Sequence, residues 1–507
     1  MHHPSPLRHR SAVVAVLLSV TVLLAACGVE ATGSGTGAIA TKGKGGDGDV
    51  VGSDITPTTA AAPTTTTPPP TDIDVVNDNG SEQNKVAINA IADLQSFWTD
   101  EYPKVFDGDA YDPVKGGFYA IDSSSDPSTL PCSPPDLDQV LYNAFYCPTD
   151  DAVAWDQEGL FPDLSKQFGD FTLAVVLAHE WGHAIQARAG IEEPTVILEL
   201  QADCFAGAWV KHITKDSDSR FQVSTEDLDL ALAGILSLRD APGSAADDPN
   251  AHGSGFDRVG AFQDGFEESA TRCAEYTKGD PSPYQFTFTD ETDEASGGNL
   301  SYHETTNADG ETVEGIDTLA FSSLDKYWTE EFPKISGGDD WTPLKAAKPF
   351  SPDDPPTCNG KTVSPFRLFY CVPDHYVGYD DSETMPKAYE LGDFAVGALF
   401  GTQYGLAVED ELGTETDNER TATLQADCYT GSWAAALLPS AANNQGAELP
   451  YDLVLSPGDL DEAVTVLLSF RTDADRERQG PGFERVKAFR AGVVRGAKSC
   501  ADLKASS

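Results

Sequence analysis

Residues Ala174 to Gly190 read AVVLAHEWGHAIQARAG. Within them, His179-Glu180-Trp181-Gly182-His183 sets two histidines four residues apart in an apolar run that suits a helix. Residues at that spacing share a helix face, so both imidazoles project together. Such a pair holds zinc, and a glutamate next to the first histidine is placed to act on water at the metal. The pair still lacks a third ligand, which neighbouring sequence must supply.

Asp170 reads as the N-cap of this helix and Gly190 as its C-terminal stop. Glu192, Glu193 and Pro194 form a short turn. A second helix is then predicted through PTVILELQADCFAGAWVKHIT, with Pro194 in its first turn. A turn this short makes the two helices antiparallel neighbours. His183 lies ~10 Å before Gly190 and Glu199 ~7.5 Å beyond Pro194, so the two stand near one level. Glu199 is therefore the expected third ligand. Asp203, one turn further, reads as the acceptor for the distal N–H of a ligating histidine. Three protein ligands and one open position describe a hydrolytic zinc centre. There a zinc-bound water of pKa about 7 would give its proton to Glu180, which passes it to a leaving amine.

The segments HEWGHAIQ at His179, ELQADCFAGAW at Glu199, FYCP at Phe145 and HGSGFDRVGAF at His252 resemble the neutral zinc metallopeptidases of bacteria. The resemblance covers roughly Asn84 to Glu275, with a fainter echo in the second half. It implies a zincin-like, helix-dominated α+β fold with a small sheet, in which Glu199 follows His179 and His183 as ligand. Metzincins are disfavoured, because their third histidine would fall at Ala189 and the single mature methionine, Met385, lies in the other half. The family label itself says little about substrate.

Self-comparison shows a second copy of the pattern. SFWTDEYPK at Ser96 recurs as KYWTEEFPK at Lys326, and FGDFTLAVVL at Phe168 as LGDFAVGALF at Leu391. LQADCFAGAW at Leu200 recurs as LQADCYTGSW at Leu424, and FDRVGAFQDG at Phe256 as FERVKAFRAG at Phe483. The order is kept, which indicates a domain duplicated in tandem. The copy is also an internal control. His179 faces Thr402, Glu180 faces Gln403, His183 faces Leu406 and Glu199 faces Thr423, while the apolar and glycine positions around them persist. A structural histidine has no reason to vanish with three partners. Metal ligands do, since unpaired buried polar groups are costly. One zinc, in the first half alone, is the expectation. His252 faces Gln479 and is a candidate for stabilising the oxyanion of a tetrahedral intermediate. Asp203 recurs as Asp427 and so has a structural duty in at least one copy.

The N-terminus carries Arg8 and Arg10 before an apolar run ending Leu24-Ala25-Ala26-Cys27, the pattern of a lipoprotein signal with Cys27 as the lipidated residue. Eight further cysteines, an even number, suit an oxidising compartment. Each half holds four at matching places. The simplest scheme joins Cys132 to Cys147, Cys204 to Cys273, Cys358 to Cys371 and Cys428 to Cys500, with other pairings open. The expected organisation is a signal peptide at 1–26, a Gly/Thr/Pro-rich tether at 27–83 and a peptidase domain at 84–278. An acidic linker at 279–315 and a degenerate copy at 316–507 complete it. A formal net charge of -49 argues against nucleic acid as a partner. The favoured reading is an exported, lipid-anchored zinc peptidase acting on peptides or proteins at the outer face of the membrane. Its second half would pack on the first or bind a partner. The alternative is a zinc-containing binding or scaffold protein of the cell surface without catalysis.

Overall fold

The computed structural model describes residues 50–53, 64–65, 70 and 72–505, apart from 217–218, 249–250, 279–280, 289–290, 308–309, 364–365, 415–417 and 440–450. The signal segment 1–26 and Cys27 lie outside the described residues.

In the first half a long helix, α1 (Glu82–Val105), starts at Ser81, whose hydroxyl accepts from the Asn84 amide. A mixed sheet follows, built from β1 (Val75–Val76), β2 (Gly117–Ile121), β3 (Ala144–Cys147) and β4 (Ala152–Asp156) in the order β1-β2-β4-β3. β2 runs parallel to β4, and β3 runs antiparallel to β4 with Ala144 opposite Trp155 and Cys147 opposite Ala152. β3 is thus an edge strand. Helices α2 (Leu160–Phe168), α3 (Phe171–Ala189), α4 (Thr195–Lys215), α5 (Thr225–Ser237) and α6 (Gly255–Glu267) follow, and a short helical turn at Ala270–Ala274 carries Cys273.

α3 contains the opening motif and is buried along nearly its whole length. That explains its continuous apolar sequence, since a helix covered on all sides has no need of a polar face. Gly190 ends it in the left-handed conformation, φ 64°. Asp170 precedes the helix as expected but does not cap it. Its carboxylate takes the Ser165 hydroxyl instead. Pro194 likewise sits at the N-cap of α4, one place before the helix proper. α3 and α4 cross at Gly182, where an added Cβ would lie 2.6 Å from the Ala202 Cα. Only glycine lets the backbones approach this closely.

The second half follows the same order. α7 (Ile316–Ser336) precedes a sheet of β5 (Ala347–Phe350), β6 (Leu368–Cys371) and β7 (Tyr376–Asp380). β5 lies parallel and β6 antiparallel to β7, as β2 and β3 do to β4. Helices α8 (Asp393–Leu412), α9 (Glu419–Leu437), α10 (Asp459–Ser469) and α11 (Gly482–Arg495) follow. Gly405 meets Ala426 as Gly182 meets Ala202, with a Cβ-to-Cα approach of 2.5 Å. Disulfides join Cys132–Cys147, Cys204–Cys273, Cys358–Cys371 and Cys428–Cys500.

Two segments are more ordered than their composition suggested. Within the stretch read as a tether, Val50–Ser53 lies antiparallel on β6 and Val75–Val76 lies parallel on β2. Short edge strands are held by backbone hydrogen bonds and need no apolar periodicity, so the sequence pattern does not show them. The segment read as a linker is also tied down. The Asn299 side chain accepts from the Asp393 amide, and the Tyr302 hydroxyl donates to Asp381. One continuous apolar core runs through both halves. Among the described residues, no helix is long and apolar enough to cross a membrane.

Candidate metal centre

α3 and α4 bring His179, His183 and Glu199 to one point. His179 Nε2 lies 3.1 Å from Glu199 Oε2, His183 Nε2 lies 3.3 Å from Glu199 Oε1, and the two Nε2 atoms are 3.2 Å apart. A tetrahedral ion with ligands at ~2.0–2.1 Å has ligand-to-ligand edges of roughly 3.3–3.4 Å. The three side chains therefore stand at the separations that zinc requires, and the donor set of two imidazoles and a carboxylate is one that zinc takes.

The opposite nitrogen of each imidazole is already engaged. His179 Nδ1 lies 2.7 Å from Asp203 Oδ1, and His183 Nδ1 lies 2.9 Å from Gln186 Oε1. These bonds turn both Nε2 atoms toward the common point. Asp203 is held in turn by Arg258, whose Nε and Nη2 donate to its two oxygens at 2.8 and 3.0 Å. Arg258 Nη1 donates to the Leu238 carbonyl, and Gln186 Nε2 to the Leu198 carbonyl. Neither Arg258 nor Gln186 was singled out from the sequence. The signal was present: Arg258 is shared by FDRVGAF and FERVKAF, and Gln186 lies one turn past His183.

Electrostatics follow this geometry. Burial opposes a charged His179, but Asp203 and Glu199 outweigh it and lift its pKa to about 10. Burial likewise opposes a charged His183, and the bond to Glu199 raises it nonetheless. Burial would push Glu199 up, yet the two imidazoles hold it well below the usual carboxylate range. A divalent cation bound there would compete with protons for the same three side chains. Burial lifts Glu180, against the pull of His179 and His183. Its Oε2 accepts from the Tyr146 amide of β3 at 3.0 Å.

The site opens into a cavity of about 740 Å³ between β3, α3 and the start of α6, lined by Ala144, Phe145, Tyr146, Glu180 and His252 among others. His252 stands at its rim, with a side chain 55 % exposed and its Nδ1 3.3 Å from Asp240 Oδ1.

The second half lacks this arrangement. Thr402 Oγ1 donates to the Leu399 carbonyl, Gln403 Nε2 to Thr402, and Thr423 Oγ1 to the Glu419 carbonyl. Arg485 still holds Asp427, with both bonds at 2.8 Å. The arginine is thus the duty that Asp203 and Asp427 share, and the histidine is what only Asp203 has. Glu409 takes the place of Gln186. It is buried with no partner for Oε1, and burial lifts its carboxyl well above the usual range.

Comparison with known proteins bears on this centre. Residues 47–276 match the model of the family described as "Putative neutral zinc metallopeptidase". Over that segment the chain is similar to this family. The uncharacterized protein YpfJ of Escherichia coli (strain K12) is 30% identical over 154 residues, covering 25% of this chain and 52% of its own. The uncharacterized protein Rv2575 of Mycobacterium tuberculosis (strain H37Rv) is 32% identical over 117 residues, covering 19% of this chain and 40% of its own. The chain thus spans about half the length, or less, of the curated relatives it matches. No solved structure matches it.

Two outcomes follow. Asp203→Asn should weaken zinc binding by about 10–100-fold, read by competition with a chromophoric chelator. Glu409, with a folded pKa above its unfolded 4.5, costs stability as pH rises above that unfolded value. Glu409→Gln should therefore melt higher than wild type at neutral pH, with the gap closing toward pH 4. An unchanged gap across that range would contradict the assignment.

Proposed function

We propose that the protein is an exported zinc peptidase that holds one zinc ion, in its first half, and hydrolyses peptide bonds. The observation that carries the reading is the triangle of His179, His183 and Glu199 at metal-ligand separations, opening onto the cavity. Bound zinc supplies Lewis acidity, polarising a carbonyl and acidifying water.

The chain supplies the rest. Glu180, positioned by the Tyr146 amide, accepts the proton of the attacking water and returns it to the leaving amine. β3 has its outer edge free of strands among the described residues, and three of its residues line the cavity. An extended peptide can add there as a further strand, with its side chains alternating into the cleft. The matching edge of β6 is instead covered by Val50–Ser53. His252 at the rim donates to the oxyanion as it forms. Export is supported by the cysteines, since the eight beyond Cys27 are all joined in disulfides. Cys27 would carry the lipid that holds the protein at the membrane surface.

Glu180→Gln should keep about one zinc per chain and lose cleavage of a diverse peptide library by roughly 10²–10⁴-fold. Wild-type protein that binds zinc yet cleaves nothing in the library would favour the non-catalytic binding reading. In the same assay His252→Ala should lower kcat by about 10²-fold at unchanged zinc content, and an unaltered kcat would remove it from the mechanism.

A further inference from the structure

Two aspartates cross the boundary between the halves in opposite directions. Asp461 of α10 accepts from the backbone N–H groups of Gly255 at 2.9 Å and Phe256 at 2.7 Å, the first two residues of α6. Asp229 of α5 accepts from Gly482 at 2.8 Å and Phe483 at 2.7 Å, the first two residues of α11. Each also meets an arginine of the other half, Asp461 with Arg239 and Asp229 with Arg471. The sequences correspond throughout: DLDLALAGILSLR at Asp227 recurs as DLDEAVTVLLSFR at Asp459.

Free N–H groups at a helix start, with the positive end of its dipole, form a strong seat for a carboxylate. The seat is shaped by glycine on both sides. An added Cβ would lie 3.1 Å from the Asp461 Cγ at Gly255 and 3.2 Å from the Asp229 Cγ at Gly482. Phe256 packs edge-on to Phe489, and Phe266 against Phe483, beside these bonds. A contact made by the same residues on both sides is what a two-fold dimer interface looks like, and here it lies within one chain.

The two directions end differently. From the start of α6 it is one turn to Arg258, which holds Asp203, which holds His179. From the start of α11 the same step reaches Arg485 and Asp427, with Thr402 where the histidine would be.

We propose that the second half is a built-in dimer partner and that its Asp461 is a positioning residue for the metal centre, fixing α6 and through it Arg258, Asp203 and His179. This rests on the zinc reading given above. It assigns the second half a role that needs no chemistry of its own.

The test compares Asp461→Asn with Asp229→Asn in the full-length chain. Each variant removes one charge from one arm of the clasp, so both should lower Tm by similar amounts. Asp461→Asn alone should speed amide hydrogen exchange over residues 255–262, weaken zinc by about 10-fold and shift the visible spectrum of the Co(II)-loaded protein. Asp229→Asn should speed exchange at the start of α11 and leave zinc affinity and spectrum unchanged. Equal effects of both variants on zinc, or faster exchange in α6 with unchanged zinc affinity, would overturn the proposal. Wild-type protein that takes up no zinc would overturn the peptidase reading instead. The exchange comparison then still judges the clasp, since unchanged exchange in Asp461→Asn would overturn it. Should either variant fail to fold, Arg239→Gln and Arg471→Gln loosen the same two arms more gently and are read in the same way.

Discussion

The centre of this protein depends on one buried carboxylate. Asp203 lies between the Arg258 guanidinium and the His179 imidazole, and loss of the arginine would leave its charge without a full counter-charge in an apolar interior. With both present its charge is shared, and its carboxyl is held below the usual range in spite of burial. Asp427 has the arginine but no histidine, and burial prevails there and lifts it. The two sites thus differ in the histidine, which gives Asp203 a second partner and takes its own orientation from it.

Geometry then follows from helix packing. α3 and α4 are neighbours because the turn at 190–194 is short, and they approach closely because Gly182 meets Ala202. That approach sets Glu199 against both imidazoles. The second half keeps the crossing at Gly405 and Ala426 and keeps the arginine–aspartate pair. Its fold therefore does not need the two histidines and the glutamate. The first half holds them on a scaffold that is stable for other reasons.

The helix pair and the convergence of His179, His183 and Glu199 were legible in the sequence because helix spacing is short-range and regular. His179 and His183 share a face by period alone, and Glu199 follows from counting residues across one turn. Comparison of the two halves then set shared packing positions apart from the four site residues present in one half alone. What escaped was set by distant backbone. Arg258 and Gln186 act through bonds whose partners lie on other elements or at an unmarked helix position. Asp461 looks like an ordinary first-turn helix acid and Asp229 like an ordinary acid one turn into its helix, and nothing local shows that they serve a helix of the other half. The edge strand at Val50–Ser53 is held by main-chain bonds, which leave little mark on composition.

The central claim is that two imidazoles and one carboxylate of the first half hold a single zinc ion. Metal analysis with X-ray absorption on the zinc-loaded full chain tests it most directly. The account predicts about one zinc per chain, with two nitrogen ligands of imidazole type, oxygen for the remainder and no sulfur, at ~2.0–2.2 Å. Absence of bound zinc, a sulfur ligand, or loss of neither imidazole signal in a His179→Ala, His183→Ala variant would contradict it.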